Sequence, residues 1–395
     1  MSFMETKNRR KICVVTSNRA DYVKLRSVLR ELKADPEVEL LLVVAGSHLL
    51  RNYDTTIDLI RRDGFPVSYQ AFIELEGRFP VTMAKSTALG INEFATAFHN
   101  LNPDIVLLHG DRFETLAAAV AASLMNIFIA HIEGGEVSGT IDEHIRHAVT
   151  KLSHFHFPTT EHARKNIIRL GEHPAHVVVA GCPGIDELLQ APEVALSELE
   201  KIINERFMNG GIKLSFSKGF ILCVQHPVTT EYKKAASQIH ETLSALKETK
   251  LPVVLLWPNI DAGADEISQA IRFFKNEPGT NAFHVFRNFP PEIFFSLLRS
   301  ASVLVGNSSS GIREASSFGT PVVNVGTRQN GRTVGSNVIT VGHLSVDILR
   351  AVKKQLSHGR YQPEHLYGKG GAGKKIAETL KTIDTSLIQK QLSYS

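Results

Sequence analysis

Short apolar runs of four to seven residues alternate with helix-period stretches along nearly the whole chain, and this alternation constrains the fold most. A run such as KICVVTS has no polar face to offer water, so it must be covered on both sides. Strands covered on both sides and connected through helices form parallel, doubly wound sheets. The first series of strand candidates reads KICVVTS, ELLLVVAG, DIVLLHG, IFIAHI, HFHF and VVVAG, with helical stretches at 21–34, 113–125 and 161–170. A second series, GFILCVQ, PVVLLWP, AFHVF, SVLVGN, PVVNVG and NVITVG, follows a charged, glycine-interrupted stretch at 193–218. At 395 residues the chain exceeds what one core usually supports. Two Rossmann-like α/β domains are therefore expected, at 1–190 and 191–372. Residues 373–395 should return to the first domain through a helix over 373–392.

Several function classes are excluded early. The net charge is +4, and the basic residues are scattered, which disfavours nucleic acid as a partner and leaves a modest attraction for a small anion. The longest apolar stretch, 116–130, is interrupted by Ser123 and Asn126 and falls short of the roughly 20 residues of a membrane-spanning helix, so no membrane association is expected. The polar start MSFMETKNRRK does not read as a secretory signal. Cys13, Cys182 and Cys223 are isolated and odd in number, which suits buried thiols in a reducing cytoplasm.

No cofactor or metal is expected either. KICVVTSNRADY lacks the glycine fingerprint of a nicotinamide site. His144 with His147, and His154 with His156, do not complete a zinc ligand set. GKGGAGK at 368–374 resembles a P-loop, but Lys375 stands where a magnesium-holding Ser or Thr belongs, so it reads as a helix-entry loop.

The chemistry concentrates in HIEGGEVSGTIDEHIRH, residues 131–147, where Glu133, Glu136, Asp142 and Glu143 crowd between an apolar strand and a helix. Asp111, in LLHGDRFE, stands at the end of the preceding strand. Acids are costly to gather unless solvent, cations or catalysis require them, and ligands of open α/β sheets bind at the carboxyl ends of strands. A second signal is VGNSSSGIREA. After Asn307, Ser308, Ser309, Ser310 and Gly311 should open a helix whose free N–H groups and hydroxyls suit a diphosphate, although one serine cap would explain a helix start on its own. Glu314 lies in the first turns of that helix, within reach of ribose hydroxyls, and Arg328 and Arg332 follow on the next loop. Arg19, where the first strand meets the first helix, is placed either for a phosphate or to pair with Asp21. His226 follows a strand in QHPVTTEY, where a histidine is usually structural but is also able to donate to a leaving oxygen.

Taken in order, SNRADY, GSHL, HGDRFE, HIEGGEVSGTIDEHIRHAVTKL, QHPVTT, PNIDAG, GNSSSGIREA and GTPVVNVGTRQNGR resemble the hydrolysing UDP-N-acetylglucosamine 2-epimerases, including the epimerase half of the bifunctional epimerase/kinase of sialic acid synthesis. The resemblance runs over about residues 11–383. It implies a GT-B-type fold, two Rossmann-like doubly wound domains with an interdomain cleft, and a homodimer or homotetramer. By similarity, Arg19, Arg112, His226, Asn259, Ser308, Ser309, Glu314 and Arg328 would contact UDP. Asp111, Glu133 and Asp142 would be catalytic, with Glu143 a helper. Non-hydrolysing relatives carry a motif like HVEAGLR where this chain has HIEGGEVSGT. Asn288, in FRNFPPE, replaces a histidine often found in the bifunctional members, which touches on the sugar preference.

The implied reaction is elimination of UDP to a glycal followed by hydration, giving UDP and N-acetylmannosamine from UDP-N-acetylglucosamine. Asp111 or Glu133 would act as base and Asp142 as acid, with His226 and the serines at the departing diphosphate. A UDP-2,4-diacetamido-trideoxyhexose is the alternative substrate. A GT-B glycosyltransferase and a non-enzymatic UDP-sugar sensor are the alternatives of other kinds.

Overall fold

The protein is described from a computed structural model covering residues 9–50, 56–75, 79–208, 212–258 and 262–393. It divides into two compact units: unit 1 comprises Met1–Glu136, Asp142–Leu189 and Tyr367–Ser395, and unit 2 comprises Val137–Ile141 and Gln190–Leu366. Nothing in the sequence pattern announces the short excursion at Val137–Ile141.

Unit 1 holds a parallel sheet of β1 (Arg10–Thr16), β2 (Val38–Ala45), β3 (Tyr69–Ala71), β4 (Ile105–His109), β5 (Phe128–Ile132) and β6 (Phe155–Phe157). Its spatial order is β3-β2-β1-β4-β5-β6, with Ile12 opposite Ile105 where β1 meets β4. The helices of this half are α1 (Arg19–Ala34), α2 (Ile57–Arg62), α3 (Pro80–Leu101), α4 (Phe113–Leu124), α5 (Asp142–Leu152), α6 (Glu161–Arg169) and α7 (Pro183–Gln190). Unit 2 repeats the plan with β7 (Ile221–Val224), β8 (Val253–Leu256), β9 (Phe283–Phe286), β10 (Val303–Gly306), β11 (Val322–Val325) and β12 (Val338–Val341), ordered β12-β11-β10-β7-β8-β9. Its helices are α8 (Leu196–Arg206), α9 (Ala235–Lys247), α10 (Ala264–Lys275), α11 (Pro291–Ser300), α12 (Glu314–Phe318) and α13 (Ser345–His358), and α14 (Ala372–Thr382) completes the chain's helices in unit 1.

Both sheets have the doubly wound Rossmann order, and each reverses direction at one point: between β1 and β4 in unit 1, and between β7 and β10 in unit 2. Loops leaving those strands diverge to opposite faces and open a crevice, so the fold dictates where a ligand finds room. The GT-B-like two-domain α/β architecture is thus present.

The apolar runs do what their composition requires. Ile12 and Val14 of β1, Leu25, Val28 and Leu29 of α1, and Ile105 and Leu107 of β4 are fully buried in one core. Each such side chain contributes about 1.5–3 kcal/mol relative to exposure. Ile376 and Leu380 of α14 join that same core, so the end of the chain is integral to unit 1.

Three elements depart from expectation. VVVAG is not a ladder strand: Val177 makes a single bridge to His156, and Val178 and Ala180 bond to His156 and Pro158 carbonyls. Instead the sixth strand is β3, a three-residue edge whose sequence, SYQAF, is too polar to stand out. The C-terminal helix stops at Thr382, ten residues short of Leu392, as Ile383 turns extended. The chain beyond is held through its carbonyls: Arg10 donates to Leu380 and Ile383, and His154 Nε2 bonds to Ile388 O at 2.9 Å. Lys390 ends in the buried Glu172 carboxylate at 2.7 Å, which Lys151 and His156 also meet.

Candidate active site

In unit 1 the side chains at the switch point form two groups. The first centres on Arg146, whose side chain is only 1% exposed on α5. Its fork takes the Asp111 carboxylate, Glu143 Oε2 at 3.0 Å and the Glu136 carbonyl at 2.8 Å. Burial opposes its charge, but Asp111, Glu136 and Glu143 more than offset this and raise its pKa. Asp111 itself is placed by a pinned loop: Gly110 N–H donates to Ile132 O, and Gly110 O accepts from His131 Nε2 at 2.8 Å. His131 is fully buried, and that burial pushes its pKa down to about 3, so it is the neutral donor this bond needs.

The second group centres on Glu133, which is 3% exposed and sits just past β5. Its φ is +66°, an uncommon left-handed conformation for a residue with a side chain. The carboxylate meets Lys24 Nζ at 3.3 Å, the Cys182 thiol at 3.1 Å and His109 Nε2 at 3.4 Å, the last too poorly aligned for a hydrogen bond. His109 Nδ1 donates to Asp21 at 2.6 Å. Burial by itself would lower the His109 pKa; Glu133 and Asp21 reverse that and raise it to about 9, making the ring cationic at neutral pH.

The structure therefore brings Asp111 and Glu143 together on one arginine and gives Glu133 a separate cationic setting. Asp142 is the first residue of α5, half-buried. Glu136 is buried, accepting from Thr159 Oγ1 at 2.8 Å. Arg19 opens α1, and the Asp21 carboxylate goes to His109 and to the Ser17 N–H. Arg112 precedes α4, forks onto Glu114 at 3.1–3.3 Å and lies over the Phe113 ring.

In unit 2 the corresponding loops carry His226 and the serines. Asn307 clamps His226 from both sides of its backbone: Oδ1 accepts from His226 N at 2.7 Å and Nδ2 donates to His226 O at 2.8 Å. The Asn307 carbonyl in turn accepts from Arg328 Nη1 at 3.2 Å and Gln329 Nε2 at 2.8 Å. This close approach needs Gly306, whose φ is +134° and where a Cβ would lie 2.1 Å from Val224 O. Three strand-end loops, after β7, β10 and β11, are thereby tied into one body. Ser308 caps the following turn, accepting from Ser310 N.

The expected serine-led helix is corrected here. Ser309–Gly311 is a single 3₁₀ turn, and α12 has only five residues, with the buried Glu314 as its first. A helix this short adds little dipole, so what the loop presents is the turn's N–H groups and serine hydroxyls, with Arg328 on the neighbouring loop. Asn259 lies outside the described residues. Asn288 is exposed and accepts from the Phe289 N–H.

The P-loop-like GKGGAGK is spoken for by the protein itself. Buried Asp186 accepts from Ala372 N at 3.1 Å and Gly373 N at 2.7 Å, occupying the start of α14 with its own carboxylate. Among the described residues, no group of three or more His, Cys, Asp or Glu side chains is placed to hold a metal ion, and no helix is long and apolar enough to cross a membrane.

Sequence reasoning missed Arg146, His109, Lys24 and Cys182. A signal existed for Arg146, three residues after Glu143 and so on the same helix face. His109 stands in the same LLHGDRFE motif, two residues before Asp111 at the end of β4, whereas Lys24 and Cys182 come from distant segments and carry no local pattern.

The family profile described as UDP-N-acetylglucosamine 2-epimerase matches residues 30–381. The chain belongs to the UDP-N-acetylglucosamine 2-epimerase family. Among similar members, a UDP-N,N'-diacetylbacillosamine 2-epimerase (hydrolyzing) from Legionella pneumophila is 36% identical over 375 residues, spanning 95% of this chain and 96% of that protein. A UDP-N-acetylglucosamine 2-epimerase from Neisseria meningitidis is 30% identical over 385 residues, spanning 97% and 98%. The crystal structure of the Methanocaldococcus jannaschii UDP-GlcNAc 2-epimerase, in complex with UDP-GlcNAc and UDP, superposes with a TM-score of 0.78 at 19% identity, covering 94% of this chain and 99% of that one. The epimerase fold and this chain's fold are the same.

Proposed function

We infer that this epimerase-family chain is a hydrolysing 2-epimerase of a UDP-linked 2-acetamido sugar. The observation that carries the reading is the pair of carboxylate groups at the unit 1 switch point: Asp111 and Glu143 on buried Arg146, and Glu133 between Lys24, His109 and Cys182. Exchange of configuration at C2 requires one group to remove a proton and another to return it from the opposite face, and two differently supported carboxylates meet that need.

In the first half of the reaction Asp111 or Glu133 takes the C2 proton, the C1–O bond breaks with its electron pair going to the diphosphate oxygen, and a C1=C2 double bond forms. His226, Arg328, Ser308, Ser309, Ser310 and the Gly311 turn, with Arg19 and Arg112, receive the diphosphate, and Glu314 the ribose. Charge builds on that oxygen as the bond breaks, so fixed donors there lower the barrier. Water then adds to C1 while Asp142, helped by Glu143, protonates C2 on the other face. The products are UDP and the free 2-epimeric sugar. HIEGGEVSGT in place of HVEAGLR supports hydrolysis over reversible epimerisation of the intact nucleotide-sugar.

UDP-N,N'-diacetylbacillosamine is the favoured substrate, because the Legionella relative that acts on it is more similar to this chain than the Neisseria relative that acts on UDP-N-acetylglucosamine. UDP-N-acetylglucosamine, the substrate implied by the sequence motifs, is the second reading. The test is proton NMR of the protein with each sugar nucleotide in deuterated water. Release of UDP with a free sugar deuterated at C2 is the expected result, faster with the diacetamido sugar. Equilibrating UDP-sugars without release would refute hydrolysis, and turnover of UDP-N-acetylglucosamine alone would reverse the substrate order.

A further inference from the structure

The acid-bearing loop leaves unit 1 after Glu136 and re-enters it at Asp142; the five residues between, Val137–Ile141, belong to unit 2. They contain no helix or strand of their own. They lie on the loop after β11 that carries Arg328, where the Gly139 N–H donates to Arg328 O at 3.1 Å. The fit excludes even a methyl group: a Cβ at Gly139 would fall 1.9 Å from Thr327 O, and one at Gly331 would fall 2.5 Å from Val137 Cγ1.

The Arg328 loop is braced from its other side. Thr327 Oγ1 donates to Glu231 at 2.6 Å, and Arg328 and Gln329 hold the Asn307 carbonyl. Between a braced loop and a five-residue segment without structure, the segment is the part that yields. Glu136 and Asp142 are each three residues from Gly139, so a displacement of the segment's middle is passed to the chain on both sides of it.

We propose that residues 137–141 are a gripped finger through which the Arg328 loop positions the flanking acids, with Gly139 the positioning residue on which the grip depends. This rests on the function inferred above, in which the Arg328 loop receives the diphosphate and the acids act on C2. The same loop then reads the nucleotide and sets the carboxylates, so that acids are in place when the diphosphate is held.

The test uses the full chain with Gly139→Ala. Gly139 lies outside the left-handed φ region, so alanine adds no backbone strain and meets the Thr327 carbonyl, with the Asn330 Cβ in ordinary contact at 3.5 Å. Gly342→Ala, at an exposed site with nothing within 4 Å of its Cβ, is the control. The expected result for Gly139→Ala is wild-type UDP affinity by calorimetry and unchanged KM, with kcat lowered about a hundredfold, the cost of a shift of about 1 Å at reacting groups, and an unfolding temperature lowered by the contact of the new Cβ with a backbone oxygen. Hydrogen exchange of the 137–141 amides should be faster than in wild type. Unchanged kcat overturns the proposal, as does a loss of UDP affinity in parallel with kcat, which marks a structural role. A wild type that turns over neither sugar overturns the functional reading instead. The grip is then decided by exchange alone, and equal exchange in wild type and Gly139→Ala overturns it.

Discussion

Arg146 offers the sharpest test of how the candidate site is built. Replacing it with methionine keeps most of the volume but removes the positive charge at the centre of Asp111, Glu143 and the Glu136 carbonyl. Breaking a buried ion pair from one side costs about 3–5 kcal/mol. Asp111 and Glu143 keep 23% and 22% side-chain exposure, so water recovers part of that and the low end applies. The Glu136 carbonyl adds an orphaned acceptor, bringing the loss to roughly 3–4 kcal/mol. In a unit of roughly 200 residues this lowers Tm by about 10 °C. Arg146→Lys keeps the charge but reaches fewer acceptors, and should lose about half as much. Thermal unfolding by circular dichroism at pH 7, with UDP release measured alongside, reads both effects; kcat should fall about a hundredfold in Arg146→Met. A Tm within about 2 °C of wild type would refute the assignment of Arg146 as the keystone of the acid cluster.

The geometry sets three further outcomes. Gly306→Ala should cost more than about 2 kcal/mol and abolish UDP binding in calorimetry, since it adds a left-handed strain and a 2.1 Å clash with Val224 O at the base of the His226 clamp. His109 has its pKa raised from 6.5 to about 9, so its stabilisation is whole below pH 6.5 and lost as pH rises through about 9. Urea unfolding across that window should show wild type losing stability relative to His109→Asn, and a constant difference would contradict the buried cation. Asp186→Ala should destabilise the protein by about 2–3 kcal/mol, by uncapping α14 and orphaning two buried N–H groups, and should expose residues 367–393 to limited proteolysis.

Of the strands β1–β12, all but β3 are legible in the sequence: most are buried and apolar throughout, a signal that needs no partner to be read, and the half-exposed edge strand β12 shows through its β-branched run Val338–Val341. β3 is not legible because an edge strand pairs on one side and tolerates Tyr69 and Gln70. VVVAG misleads because apolar character reports burial, and residues 177–180 are drawn against β6 with only one bridge. The end of α14 escapes the periodicity because the chain after Thr382 is held by carbonyl bonds to Arg10 and His154 and by Lys390, none of which leaves a pattern in the sequence. In the site, the acids stand out because clustered carboxylates are costly and strand ends are exposed. Their partners do not: Cys182 is 49 residues from Glu133 and Lys24 is 109 away, so only folding selects them. The serine turn is legible as a turn, but the length of the helix after it depends on Gly319, which stops α12 in a left-handed conformation.

Unit 1 is assembled from both sides of an insertion. Leu189, the last residue before unit 2, lies 3.1 Å from the position a Cβ would take on Gly370, just after the chain returns. During synthesis, the sheet bearing Asp111 and Glu133 is made first, yet its core lacks Ile376, Ala377 and Leu380 until the whole of Gln190–Leu366 has been translated. For that interval the α1 face that α14 will cover is open to water and to chaperones. The insertion folding on itself is what makes closure cheap, because it brings two distant chain positions together before either has to search for the other.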